Sequence, residues 1–448
     1  MRHRLAPLAI ILVLFVATGM AYAQYVEDSV DAGGTWVGSL AYGSAQDEVW
    51  GSSWGGNSVF AISCDSNKLV AALAVRRAGD LAYDSVDRKY YCAYYGASQE
   101  SLAVISSATH QITKRIEMPG STTPVWDPVS DRVYVSCQTT NNVAVVDCAS
   151  DSVLTYVPVG ACPMKMYINS LRRKLYVLNY DDGTVSIVNV TTNQIIKTVA
   201  TGSGNAGYYC SWEDKFYCDG PRDTCVVIDG QSDTVVARIS LSGLGSVLSA
   251  TGNEDAGLVY LGTYTGSVDH VVTVSAQNDS VQTTIAIGRE PWGLAYYSGS
   301  GLLYCASART DEVCVVTGDG AGIRTTLSVG DCPMVFAIAR RHNRLYVGHS
   351  NTRYVYVLRD TSAGVMEPQP PCSVGVQPLA TVVRGVLLLP ATTSRKPQAA
   401  GSLLDIGGRQ VMVLRPGAND VSSLSPGVYF VREAQAQAQA VRKVVVTR

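Results

Sequence analysis

Pro163-Met-Lys-Met-Tyr-Ile-Asn169 is followed by a turn, Arg172-Arg-Lys174, and a second run, Leu175-Tyr-Val-Leu178. Asp181-Asp-Gly183 then turns the chain into Thr184-Val-Ser-Ile-Val188, and after Thr191-Thr-Asn193 comes a last run, Gln194-Ile-Ile-Lys-Thr-Val199. Each run alternates with a period of two, and the breaks carry Gly, Asn and Asp, which tolerate positive φ and bond their own backbone. The stretch predicts four short antiparallel strands joined by tight turns, with an aromatic residue, Tyr176, on the second.

That aromatic recurs at Trp50, Tyr91, Tyr134, Tyr176, Tyr217, Tyr260, Tyr304 and Tyr346, with gaps of 41, 43, 42, 41, 43, 44 and 42 residues. A period of about 40 to 45 residues with four strands per unit marks a β-propeller, in which each unit is a blade buried only against its neighbours. Eight anchors predict an all-β propeller of eight four-stranded blades; seven is the alternative if one unit is irregular, the segment 243–262 being the weakest. The eighth unit has Leu345-Tyr-Val-Gly348 and Tyr354-Val-Tyr-Val-Leu358 but no fourth strand before Gly364-Val-Met-Glu-Pro-Gln-Pro-Pro371. Tyr25-Val-Glu-Asp-Ser-Val30 has the outer-strand pattern and can complete it, closing the ring and removing exposed edges that invite aggregation. No stretch of the body sustains a 3.6-residue apolar stripe, so very little helix is expected.

Composition fits half-buried strands and tight turns: 16% charged residues, 41 Gly, and 25 Tyr beside 5 Phe. A net charge of −2 gives no field for steering nucleic acid or an anionic membrane, so neither is expected as a partner. Residues 1–23 read as a signal peptide: a positive Arg2-His-Arg4, an apolar Ala9-Ile-Ile-Leu-Val-Leu-Phe-Val-Ala17 and a small-x-small cleavage site, Ala21-Tyr-Ala23. The expected protein is exported, starts at Gln24 and has no membrane span after cleavage, since no other run approaches about 18 apolar residues.

The junctions Val159-Gly-Ala-Cys-Pro163, Ile287-Gly-Arg-Glu-Pro291 and Val329-Gly-Asp-Cys-Pro333, with third strands such as Val143-Ala-Val-Val-Asp147 and Val226-Val-Ile-Asp229, resemble the YVTN (YncE-like) β-propeller repeat over 24–360. The resemblance implies a propeller and leaves its use open, because such propellers serve as surface-layer and envelope proteins, as ligand-binding modules and, in distant relatives, as lactonases.

Beyond a Pro-rich linker at 361–375, residues 376–448 read as a small separate β-sandwich. Its strands are Ala380-Thr-Val-Val-Arg-Gly-Val-Leu-Leu-Leu389, Ser402 to Leu414, Gly427-Val-Tyr-Phe-Val-Arg432 and Arg442-Lys-Val-Val-Val446. A Leu-x-Asp-x-x-Gly-Arg stretch from Leu403 to Arg409, then Leu424-Ser-Pro-Gly-Val-Tyr429, then a basic-apolar end at Lys443 resemble the C-terminal sorting domain of type IX secretion substrates. The Gln-Ala repeat from Ala434 to Ala440 departs from that pattern and reads as an expanded hairpin loop. The resemblance implies secretion machinery as a partner; the alternative is an appended domain serving stability alone.

Of twelve cysteines, Cys305 and Cys314 fall opposite each other in a hairpin centred between Arg309 and Thr310, and Cys218 and Cys225 are expected to do so around Pro221-Arg222. Opposed residues can be bridged if they occupy a non-hydrogen-bonded pair, so these are disulfide candidates, with buried small hydrophobes as the competing reading for most of the twelve. Cys210 is expected beside Cys218, but the Cys210, Cys218, Cys225 row lacks tetrahedral spacing and no CxxC motif exists, so no metal site is read there. Cys162 and Cys332 hold the same repeat position four blades apart.

No nucleophile elbow, haem-attachment or HExxH motif is present, and no cofactor is implied. Of five histidines, His3 lies in the signal, His110 and His342 in turns of the face opposite the blade entrances, and His270 and His349 where they could reach the ligand side. The loops that enter each innermost strand and link the second to the third strand share one mouth of the central channel. They carry Arg76, Arg77, Asp181, Asp182, Arg222, Asp223, Arg289, Glu290, Trp292, Arg309, Asp311, Asp331, His349 and Arg353. Solvated turns account for such residues singly; as a set they ring a mouth. Trp292 beside Arg289 and Glu290 suits carbohydrate or peptide contact, making a glycan or a protein the expected ligand.

Three function classes follow: a secreted or cell-surface binding or structural module, an envelope hydrolase or lactonase using Asp181, Asp182, Asp311 and Asp331 with Ca²⁺, and an architectural surface-layer subunit. The missing catalytic motifs favour the first.

Overall fold

A computed structural model describes residues 24–94, 101–202, 204 and 206–362, and in the C-terminal part 381–383, 386–389, 401–404, 409–414, 417–421, 424, 427–433 and 441–446. The chain divides between Met366 and Glu367 into two compact units. The expected signal peptide, most of the Pro-rich linker and the Gln-Ala repeat lie outside the described residues.

The first unit is a ring of eight four-stranded antiparallel sheets. Seven run in simple order from the innermost strand outward, as in Pro163–Asn169, Lys174–Asn179, Thr184–Asn189 and Gln194–Ala200. Ser246–Asn253 and Leu258–Tyr264 begin a complete sixth blade where the sequence signal is weakest. The eighth takes its outer strand from the start of the fold: Gln24–Asp31 pairs antiparallel with Tyr354–Asp360, Gln24 opposite Asp360 and Asp31 opposite Tyr354. The only helix among the described residues is a 3₁₀ turn, Arg340–His342.

All eight recurring aromatics are fully buried between blades. Six tyrosine hydroxyls fasten one blade to the next, five at the turn after its third strand and that of Tyr304 at the third strand's last residue. Trp50 instead donates to Glu48 of its own strand, and Tyr176 accepts from Asn169 of its own blade. Tyr91 donates to Asp151 at 2.7 Å, Tyr217 to Asp279 at 2.5 Å, Tyr304 to Asp360 at 2.6 Å and Tyr346 to Asn67 at 2.8 Å. The cation two residues earlier reaches the same turn: Lys89 to Asp151, Lys174 to Asp233 and Lys215 to Asp279. A buried hydroxyl left unpaired costs about 1–3 kcal/mol, so the Lys-x-Tyr pattern supplies register between blades as well as packing.

The second unit contains a five-stranded sheet, in the order Thr381–Val383, Val441–Val446, Gly427–Glu433, Gly401–Leu404, Gln410–Leu414, and a two-stranded ladder, Val386–Leu389 with Gly417–Asp420. Its buried residues include Leu403, Leu414, Val421 and Val431.

Candidate functional site

Entry to each innermost strand is built the same way. In seven blades the residue just before that strand has positive φ: Trp36, Arg77, Gly120, Cys162, Gly245, Glu290 and Cys332. Five of the seven are not glycine, and a left-handed L-residue costs about 1–2 kcal/mol, which the neighbouring contacts offset. A side chain from the preceding blade accepts the backbone N–H of that residue: Asn57 for Arg77, Asn141 for Cys162, Asp269 for Glu290 and Asp311 for Cys332, at 2.7–3.0 Å.

Two or three residues later the innermost strand bulges out of its ladder. The register slips over Gly38 in the first blade, over 79–80, 122–123 and 164–165 in the next three, and over Leu248, Trp292 and Met334 in the last three. A bulge frees residues from strand pairing and re-aims their side chains. Here it aims them into the bore: Gly38, Asp80, Thr123, Lys165, Leu248, Trp292 and Met334 line a cavity of about 400 Å³ to which every blade contributes. Its wall mixes polar and apolar surface, and a polar chain crosses three blades. Lys165 pairs with Asp80 at 2.9 Å, and Thr123 donates to the same carboxylate at 2.8 Å.

Above the bore lies a wider cavity of about 900 Å³ lined by Gln138, Cys162, Met164, Lys165, Tyr180, Asp181, Leu248, Tyr264, Glu290, Trp292 and Arg309. The two cavities share Lys165, Leu248 and Trp292. Glu290 organises one wall. Its carboxylate accepts from Arg309 Nε at 2.8 Å and from Trp292 Nε1 at 3.3 Å, while its carbonyl accepts the N–H of Ala308. The exposed Glu290–Arg309 pair adds little stability by itself; it holds the indole over the opening. Tyr180 and Tyr264 present exposed rings to the same cavity.

Asp181, Glu290, Trp292 and Arg309, anticipated from sequence, thus meet in one cavity. The other anticipated residues stand apart. Arg289 donates to the Gly266 carbonyl at 2.6 Å, Asp182 accepts the N–H of Ala161 at 2.6 Å, and Asp331 accepts from Asn351 at 3.2 Å. Arg222, with positive φ, belongs to the fifth blade's turn. His349 was expected to reach the ligand side; instead it is fully buried beside Tyr356, and neither ring nitrogen meets a hydrogen-bond partner in good geometry. Burial holds its pKa down at about 4. Asp181, Asp182, Asp311 and Asp331 come from the fourth, seventh and eighth blades, and they are not among the described groups of acidic side chains close enough to share an ion.

Sequence reasoning passed over Lys165, Asp80, Gln138, Tyr180 and Tyr264. A signal existed for the first two, since each places a charge inside an otherwise apolar innermost strand. The bulge that turns them inward depends on cross-strand register.

Cys305 lies directly opposite Cys314, as the hairpin count predicts. The expected opposition of Cys218 and Cys225 does not hold. The fifth blade's turn is one residue shorter, so Cys218 faces Val226 and Asp219 faces Cys225. That places Cys218 and Cys225 in the cores on opposite faces of the sheet. Cys210 pairs with Lys215 and lies away from Cys218.

No family model matches the sequence, and no curated protein is similar to it in sequence. Solved structures are similar in fold. The computationally designed Ika8 protein superposes with a TM-score of 0.58 at 12% identity, over 75% of this chain and 99% of its own. The dihydro-heme d1 dehydrogenase NirN, solved in complex with DHE, superposes with a TM-score of 0.57 at 12% identity, over 66% of each chain. The chain has an eight-bladed β-propeller fold. At this identity the likeness extends to fold alone.

Proposed function

We propose that this protein is an exported, YVTN-type propeller that binds a glycan at the channel mouth, with its C-terminal unit acting as a sorting domain. The mouth cavity carries the reading: three partly exposed aromatic residues, Trp292, Tyr180 and Tyr264, line it together with the polar Lys165, Gln138 and Asp181. Concave sites that mix aromatic faces with a few placed polar groups are the usual form of ligand pockets. Rings held at the rim offer flat apolar faces to sugars, and the polar groups reach hydroxyls. Glu290 fixes Trp292 in advance, which lowers the ordering cost of binding. The signal-like 1–23 and the sorting-like 403–409 stretch support export.

A glycan and peptide array on the mature protein tests the reading. Glycan binding weakened about tenfold or more by Trp292→Ala is the expected result. Peptide binding alone would replace the ligand class, and no binding to either would remove the binding reading in favour of an architectural subunit.

A further inference from the structure

On the face opposite the mouth, the junction of the second and third blades brings Asp84, Asp131 and Cys148 together, with one ligand atom of each within 4.8 Å of the others. Asp84 ends the second blade's innermost strand and is fully buried. Its Oδ1 accepts the backbone N–H groups of Val86 and Asp87, while Oδ2 is buried without a hydrogen-bond partner. Asp131 sits in the third blade's first turn at φ 51°, and Cys148 follows that blade's third strand.

The next junction fills the same place with a cation. Asp127 is the counterpart of Asp84 one blade on, and Arg173 of the following blade's turn grips it with two hydrogen bonds of 2.8–2.9 Å. Between the second and third blades a second carboxylate and a thiol stand where a guanidinium would balance the charge. Lys89, the nearby cation, is committed to the Cys148 carbonyl, Asp87 and Asp151. An isolated buried carboxylate is costly unless it is paired, protonated or bound to a metal.

We propose that Asp84, Asp131 and Cys148 bind a zinc-type divalent cation that fastens the second blade to the third. Carboxylate oxygens and a thiolate are zinc ligands at about 2.0–2.3 Å, and small side-chain rotations would gather these three around one ion, leaving the fourth tetrahedral position to solvent. On binding, the Cys148 thiol gives its proton to solvent as the metal–sulfur bond forms, with no change of oxidation state. Without metal, burial keeps that thiol protonated, its pKa pushed up to about 12, and burial with the facing Asp131 also raises Asp84.

The test is metal analysis of the purified full-length chain, followed by chelation and reloading with Co²⁺. Expected are one zinc per chain and, with cobalt, a thiolate-to-metal charge-transfer band, both lost in Cys148→Ala and in Asp84→Asn. Asp131→Asn is a third variant because asparagine tolerates the left-handed turn, so folding is preserved; it should weaken metal binding at least tenfold. A folded protein that holds no zinc and develops no cobalt band overturns the proposal. A band unchanged in the variants overturns it too, by placing the metal elsewhere. Neither outcome touches the glycan reading, which concerns the other face.

Discussion

Tyr304 of the seventh blade donates its hydroxyl to the carboxylate of Asp360 in the eighth at 2.6 Å. The same carboxylate accepts the side-chain amide of Gln24 at 3.0 Å, so one buried group joins the blade interface to the strand that closes the ring. Burial pushes the Asp360 pKa up, but hydrogen bonds from Ser300, Ser362, Tyr304 and Gln24 outweigh it and hold the group below its ordinary value of 3.8. Its stabilising contribution is therefore present above that value and lost as pH falls through the lowered folded one. Acid unfolding followed by tryptophan fluorescence should show this loss in the wild type and not in Asp360→Asn.

Deleting residues 24–31 removes the outer strand of the eighth blade and bares the edge of Tyr354–Asp360. A lower thermal midpoint and concentration-dependent association are expected, read by light scattering on a size-exclusion column. A monomeric deletion variant as stable as the parent would show that closure contributes nothing.

Tyr217→Phe keeps the ring between the fifth and sixth blades and removes the donor to Asp279. A cost of about 1–3 kcal/mol in denaturant unfolding is expected, because Asp279 retains only Lys215 as its charged partner.

His349 is buried neutral, its pKa lowered from 6.5 to about 4 by burial. The unfolded chain binds the proton first, so stability is full above about pH 6.5 and declines as pH falls toward 4. At about 1.4 kcal/mol per pKa unit, the total loss is about 3 kcal/mol. Unfolding curves of His349→Gln should lack this slope between those two pH values.

Cys305 and Cys314 are free thiols in the structure and directly opposed. Under the proposed export to an oxidising compartment the two are expected to be joined, visible as a linked peptide pair in mass spectrometry of unreduced protein. Cys218 and Cys225, facing opposite sides of their sheet, should both be alkylated as free thiols.

Deleting residues 376–448 tests the sorting reading. A folded propeller held in the periplasm is expected, and unchanged export would refute the assignment.

The aromatic beat from Trp50 to Tyr346 and the incomplete last unit made the blades and the ring's closure by residues 24–31 legible, because both are properties of the sequence itself, while the complete sixth blade in the structure decided for eight over seven. Trp292, Glu290, Arg309 and Asp181 were legible for a related reason: the alternation of strands and turns places their loops on one face. Tertiary structure alone decided which of these meet. Bulge register turned Lys165 and Asp80 into the bore, and packing buried His349 beside Tyr356. One residue fewer in the fifth blade's turn separated Cys218 from Cys225. Periodicity fixes which face of a strand a side chain takes. Contacts between side chains from different blades depend on register and packing across the ring, and the order of residues along one blade does not specify these.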